Sequence, residues 1–390
     1  MRAPTTAATA SSATEPETPS RRPDLIVSTS DAKYVRVQGR DVFIDVPSPD
    51  KLDLIDATGF PPRIVASIDV SAAVQGPPQA VAITPDARLA FVGAPSHYDA
   101  ERKSLALQNF LQVVDLEARP ARVVARIELA GSPQGLAVNR AGTLLLAATT
   151  AGTVAVFAIH ERSVTLQTEL KVSQGRLAGI AITPDSRSAL VARRDEQGIA
   201  VLHIDGDRVT VARERISAGV APYAIDICAD GRYAIVGNVG LAGLPGENGL
   251  PAGDADSVTL IDTSRWPFRA VDHATVPSLP EGVAISPDGR FVAVHAMDGS
   301  NLTPDNPGRR ACGQLVLFAI DEGRLIRRAS LPAGVAGQGV VFTADGRYVL
   351  AQFNVERVIA VYAVNDGALA DTGVRLPSAG GPSSIRSLPR

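Results

Sequence analysis

Residues 280–295 read PEGVAISPDGRFVAVH and carry two side chains, Glu281 and His295, of types that move protons near neutral pH. His295 closes an apolar run in which similar segments of the chain hold Gly93, Ala148, Ala192, Gly237 or Gln352. Two readings follow for it: a general acid or base, or a hydrogen-bonded spacer. A second polar group, His97, Tyr98, Asp99 and Lys103, lies in a loop-like segment. Arg309 and Arg310 lie in another, beside Asp298, Asn301 and Asp305. Arg194, Arg357 and Asn354 follow other apolar runs, and Tyr223 begins one. A guanidinium binds a carboxylate or phosphate through a planar fork, so this set points to a small anionic ligand. Oxygen ligands for a metal are available at Glu247, Asp254, Asp256 and Asp298, but their spacing matches neither an EF-hand nor a zinc site. No cofactor is expected, and a divalent metal is left open. The run GLAGLPGENGLPAG (240–253) lacks the Lys-Ser/Thr ending of a phosphate loop, and no G-x-S-x-G elbow occurs.

The elements that must position these groups repeat. PQAVAITPDARLAFVG begins at 78 and PQGLAVNRAGTLLLAA at 133. LAGIAITPDSRSALVA, PYAIDICADGRYAIVG, PEGVAISPDGRFVAVH and GQGVVFTADGRYVLAQ begin at 177, 222, 280 and 337. Gln79, Gln134, Ala178, Tyr223, Glu281 and Gln338 are equivalent, at steps of 55, 44, 45, 58 and 57 residues, and Ser383 follows after 45. Each unit holds four short, β-branched runs broken by Gly, Asp or Pro; in the third blade they are QGLAVN, TLLLAAT, GTVAVFAI and SVTLQTEL. Four strands per repeat of this length predict an all-β chain, a seven-bladed β-propeller of four-stranded antiparallel blades. The last repeat stops after one strand, and DLIVSTS, KLDLIDATG and PRIVASIDV near the N-terminus supply the missing three. The N- and C-terminal strands then share one blade and close the ring.

The repeated P-x-G-hydrophobic-A-hydrophobic-x-P-D-G-R pattern resembles YVTN-type repeats over about residues 24–390. It is similar to the lactonase-family seven-bladed propellers of the 6-phosphogluconolactonase and carboxymuconate cyclase kind. The literal Tyr-Val-Thr-Asn run is absent, with Ile-Val-Gly-Asn at 235–238 nearest to it. The resemblance implies an enzyme that opens or closes a lactone, or carries out a related elimination, on a small anionic metabolite. In that reading His295 is the acid/base, Glu281 its partner, Arg309 and Arg310 anion clamps, and His97 a contributor from across the cleft. Tyr223, Lys103, Asn354, Arg357 and Arg194 would bind substrate. The alternative is a non-catalytic propeller that binds a ligand or a protein partner on its loop face.

In a blade, the loops between strands two and three share a face with the blade-to-blade connections, and the Pro-Asp-Gly-Arg turns lie on the other. The longer repeats carry insertions on the loop face, at 30–50, 94–109, 238–256 and 296–312. Blades one and two, and five and six, then raise two walls with a cleft between them over the channel.

Composition bounds the rest. The chain has 390 residues, 45% of them hydrophobic, and a net charge of −3, which offers no electrostatic reason for a nucleic-acid or anionic-membrane partner. Residues 1–23 are rich in Ala, Thr, Ser, Pro and Glu and are expected to be a disordered tail ahead of one propeller domain at 24–390. They lack the apolar core of a signal peptide, and no run is long enough to span a bilayer, so a soluble protein is expected, cytoplasmic rather than periplasmic. Cys228 and Cys312 are expected to be free thiols.

Overall fold

The computed structural model describes residues 24–99, 101–241 and 256–390, and the predicted tail at 1–23 lies outside them. Seven four-stranded antiparallel sheets form a closed ring. Blade six shows the pattern, with strands Pro280–Ile285, Phe291–Ala296, Gly313–Asp321 and Arg324–Ala333 from axis to rim. Its second strand is buried throughout, because neighbouring blades cover both of its faces, whereas the outer strand alternates between exposed and half-buried residues. The core is correspondingly divided: one apolar cluster fills each of the seven seams between blades.

The ring closes as the repeats predict. Gly381–Ser387 is the innermost strand of the blade whose other strands are Leu25–Asp31, Asp50–Asp56 and Arg63–Val70, with Ile26 opposite Ser387 and Ser28 opposite Ile385. The repeated turn is a hydrogen-bond device. Ser286 Oγ donates to Asp288 Oδ1 (2.6 Å) and accepts from the Phe291 amide (2.9 Å), while Gly289 takes φ +70°. Thr84, Thr183 and Thr343 repeat this arrangement, and in blade five the Cys228 thiol replaces the hydroxyl. Cys228 and Cys312 are both free.

Five inner strands carry a register shift next to the second strand, with Ser383 the skipped residue in the closing blade, and in blades three, five, six and seven this irregularity positions the site. In blade six Pro280 faces Ala296 but Gly282 faces His295, so Glu281 is left out of the ladder. Gln134, Tyr223 and Gln338 occupy the same kind of irregularity in blades three, five and seven. A bulge re-aims a side chain that regular pairing would direct along the sheet normal.

Two insertions are hairpins, Tyr34–Val37 with Arg40–Phe43 and Ser96–Asp99 with Ser104–Leu107. Phe43 stacks on Tyr98 with ring centroids 4.6 Å apart, which joins them into one wall. The expected separation of two walls is not observed. The tip of the first hairpin meets the blade-six loop so closely that a Cβ on Gly39 would lie 2.6 Å from the Leu302 carbonyl carbon. Gly39, at φ +77°, permits that contact. Most of the blade-five insertion, 242–255, lies outside the described residues.

Candidate functional site

Beneath the hairpins, at the loop-face mouth of the channel, is a cavity of about 890 Å³. The bulged residues Gln134, Tyr223, Glu281 and Gln338 form its floor. Gln79, their equivalent in blade two, instead crosses the axis. Its amide nitrogen donates to the Ile225 carbonyl (2.8 Å), and its oxygen accepts from the Ile225 amide (3.0 Å). Arg386 crosses one level below, bonding the carbonyls of Ile180 (3.2 Å) and Ile225 (3.4 Å), with Asp226 at 3.6 Å. These two side chains bridge the channel beneath the floor residues.

Glu281 is the singular group on the floor. Its Oε2 is out of reach of solvent and has no hydrogen-bond partner. Burial pushes its pKa up to about 7, and the guanidiniums of Arg194 and Arg36 offset only part of that shift. Near neutral pH the carboxyl is therefore divided between its two protonation states. Tyr223 is buried, with Arg194 4.7 Å above its ring centroid. Burial, reinforced by the negative charge of Glu281, raises its phenol pKa, so the hydroxyl keeps its proton.

The wall cations differ in how they are held. Arg36 forks onto Asp41 (2.7 and 3.2 Å), and Arg176 forks onto Asp195 (both shortest contacts 2.9 Å). Burial would raise the Asp195 carboxyl, but Arg176 holds it below its ordinary value. Lys103 stands exposed at the hairpin rim and Arg194 lies against the floor. Among the described residues the lining carries four cations, Arg36, Lys103, Arg176 and Arg194, against two anions, Asp41 and Glu281, and with Asp195 already paired to Arg176 the excess is one cation. That balance favours an anionic ligand.

Of the residues singled out from sequence, Glu281, Tyr223, Arg194 and Lys103 come together here. His295 does not. It is fully buried in the seam between blades six and seven, 5.6 Å from the Phe353 ring and pressed against Gly337. Neither ring nitrogen makes a hydrogen bond of good geometry, although the backbone of Gln338 and Gly339 lies beside the ring. Burial pushes its pKa down to about 4, offset in part by the backbone of Gly339 and Gln338, and the ring is neutral at physiological pH. Cross-strand pairing explains the placement. His295 faces Gly282, one residue past Glu281, and successive strand residues point to opposite sides.

His97 is exposed on its hairpin and does not line the cavity. Arg309 and Arg310 lie on the blade-six loop outside it, Arg310 exposed. Asn354 is buried, donates to the Pro382 carbonyl (3.1 Å) and accepts from the Tyr34 hydroxyl (3.1 Å). Arg357 donates to the Tyr34 carbonyl (3.4 Å). Both therefore brace the first hairpin against blade seven. Gln134 and Gln338, which sequence reasoning passed over, occupy the repeat position of Tyr223 and Glu281, and that equivalence was the signal available for them. Arg176 lies in a blade connection with no comparable signal.

Among the described residues, no three His, Cys, Asp or Glu side chains are grouped to hold a metal ion. Glu247 and Asp254 lie outside those residues, and Asp256 accepts from the Leu279 amide (2.7 Å). No helix among the described residues is long and apolar enough to cross a membrane.

No family model matches the chain, and no curated protein matches it. Solved structures do. A protein of Bacteroides uniformis provisionally called a 6-phosphogluconolactonase is 16% identical, with 94% of this chain and 100% of that one covered at a TM-score of 0.67. The periplasmic gluconolactonase of Pseudomonas aeruginosa is 17% identical, with 94% and 99% covered at 0.64. Hydrazine synthase of Kuenenia stuttgartiensis is 20% identical, with 81% and 90% covered at 0.59. At these identities the likeness is one of fold, and it extends to proteins of unlike chemistry. The chain is a seven-bladed β-propeller of the architecture that lactonase-type propellers share.

Proposed function

We propose that the loop-face cavity binds a small anionic metabolite and opens its lactone ring, with Glu281 as acid and base. The observation that carries this reading is Glu281 itself, a carboxyl on the cavity floor whose buried Oε2 has no hydrogen-bond partner, whose pKa burial pushes up to about 7, and which has guanidiniums close by. The ionised carboxylate takes a proton from water as the water oxygen attacks the lactone carbonyl carbon. The negative charge that develops on the carbonyl oxygen is stabilised by Arg194 or by the protonated Tyr223 hydroxyl. When the ring C–O bond breaks, Glu281 returns its proton to the leaving alkoxide, giving the hydroxy acid. Lys103 attracts the ligand's own anionic group. Likeness in fold to gluconolactonase supports the reaction class, and the excess of cations supports the ligand charge.

The test is turnover of glucono-δ-lactone, 6-phosphogluconolactone and muconolactone by wild type and Glu281→Gln. The expected loss is about 10²–10⁴-fold in kcat. In wild type, kcat/KM for the substrate should rise with pH through about 7 as Glu281 ionises. Unchanged turnover in Glu281→Gln, with the variant folded, would sink the assignment.

One observation favours a second reading, a non-catalytic propeller with a protein partner. The blade-one insertion exposes Val37 (52%), Val42 (49%) and Val46 (88%) on the loop face. If no small anion or lactone shifts the melting temperature, this reading takes precedence.

A further inference from the structure

The cavity is not polar throughout. Its floor is charged and hydrogen-bonding, and above it Phe43, Leu105, Leu107, Leu279 and Leu302 present apolar surface between the charged hairpin residues Arg36, Asp41 and Lys103. Phe43, Leu107, Leu279 and Leu302 remain only half-buried there, and each faces the cavity from a different segment. Phe43 is held in place by Tyr98, and Leu302 by the tip of the blade-one hairpin. These apolar surfaces are thus fixed before any ligand arrives. The volume, about 890 Å³, lies near the top of the range of about 300–1,000 Å³ that serves drug-sized ligands. A compact polyhydroxylated acid would leave much of this space to water. It would also set part of its hydroxyl surface against leucine and phenylalanine, which offer no hydrogen-bond partner.

From the half-buried apolar side chains that four separate segments bring together above the charged floor we infer that the preferred ligand is amphipathic. Its carboxylate or lactone head lies on the floor near Arg194, Glu281 and Tyr223. An acyl or aryl tail extends upward between the two hairpins and the blade-six loop. This inference rests on the proposed binding of an anion in the cavity and narrows it from anions in general to those with an apolar tail. Gln79 and Arg386 bridge the channel below the floor, so the tail extends towards the loop face. Burial of each methylene against such a wall is worth about fourfold in affinity.

The experiment is calorimetric titration of the full chain with butanoate, octanoate, dodecanoate and gluconate. Octanoate should bind at least about tenfold more tightly than butanoate or gluconate, and Arg194→Gln should weaken every one of the acids. Leu107→Asn and Leu302→Asn, from separate segments, should each lower the ratio of octanoate to gluconate affinity. A melting curve for each variant confirms that it folds. If gluconate binds as tightly as octanoate, or chain length has no effect, the amphipathic inference fails while the anion reading stands. If the preference persists in both leucine variants, the tail lies elsewhere and the inference fails. If no acid binds, or Arg194→Gln leaves all of them unchanged, the anion reading fails as well.

Discussion

Glu281 and His295 lie on paired strands of one hairpin, and the fold gives them opposite environments. Glu281 leaves the strand ladder at a bulge and reaches a charged cavity. His295 stays in register and enters an apolar seam against Phe353 and Gly337. Both are displaced by burial towards their neutral forms, the acid upwards to about 7 and the imidazole downwards to about 4. A perturbed pKa therefore does not by itself identify a working group. What separates the two is the surroundings: guanidiniums and open volume beside one, glycine and an aromatic ring beside the other.

The largest stability effect that follows is a pair of pH dependences with opposite sign. His295 has a folded pKa of about 4 against an ordinary value of 6.5. The unfolded chain binds the extra proton between those values, so stability is complete above pH 6.5 and falls as the pH drops through 4. The loss amounts to about 3 kcal/mol. Glu281 has a folded pKa of about 7 against 4.5, so its contribution is complete below pH 4.5 and is lost as the pH rises through 7. Denaturant titrations at pH 4, 5.5, 7 and 8 on His295→Gln and Glu281→Gln would separate them. The two windows overlap between pH 4.5 and 6.5 with opposite signs, so over that range the first variant should lose stability as the pH rises and the second should gain it. The same slope in both variants would break the comparison.

Next in size is a steric test of the seam. Gly337 stands where the equivalent inner strands of blades three, five and six begin with Pro133, Pro222 and Pro280. A Cβ at Gly337 would lie 2.1 Å from His295 Nε2, so the bulky imidazole and the missing side chain are two halves of one packing solution. Gly337→Ala should destabilise by about 1–3 kcal/mol. Much of that loss should disappear when His295→Ala is added, because the two positions share one space. Strictly additive losses in urea melts would show that the seam is not organised around this pair.

The propeller was legible in the sequence because its signals are local and repeated. PEGVAISPDGRFVAVH carries a strand, its turn and the next strand within sixteen letters, and the chain restates that pattern six times from Gln79 to Gln338. The ring closure was legible for the same reason, since Pro382–Arg390 is an orphan first strand. The cavity was legible where it reuses the repeat position, as Glu281 and Tyr223 do, and where a cation stands in a loop after the second strand, as Lys103 and Arg194 do. His295 was misplaced because a departure from a repeat marks a change in packing as readily as a site, and a one-residue bulge leaves no letter of its own. The contact of the first hairpin with Leu302 joins segments more than 250 residues apart, and no local pattern encodes it. Arg309 and Arg310 do not line the cavity, and the blade-six loop that carries them docks through Ser300, whose Oγ accepts from the Ala336 amide (3.0 Å).

The smallest expected effect is also the most selective. Arg194 is the leading charge that draws the Glu281 pKa downwards. Arg194→Gln removes that pull, so the Glu281 midpoint should move above 7, read from the pH dependence of stability or of turnover. His295 has no charged side chain among the causes of its shift, which are burial and backbone. Its acid-side transition should therefore stay where it is in the same variant. Movement of both transitions would mean that the seam and the cavity share an electrostatic environment, and the contrast between them would collapse. Movement of neither would mean that solvent screens Arg194 from Glu281. In that case the raised pKa of Glu281 would rest on burial alone, and the oxyanion would need the Tyr223 hydroxyl rather than a guanidinium.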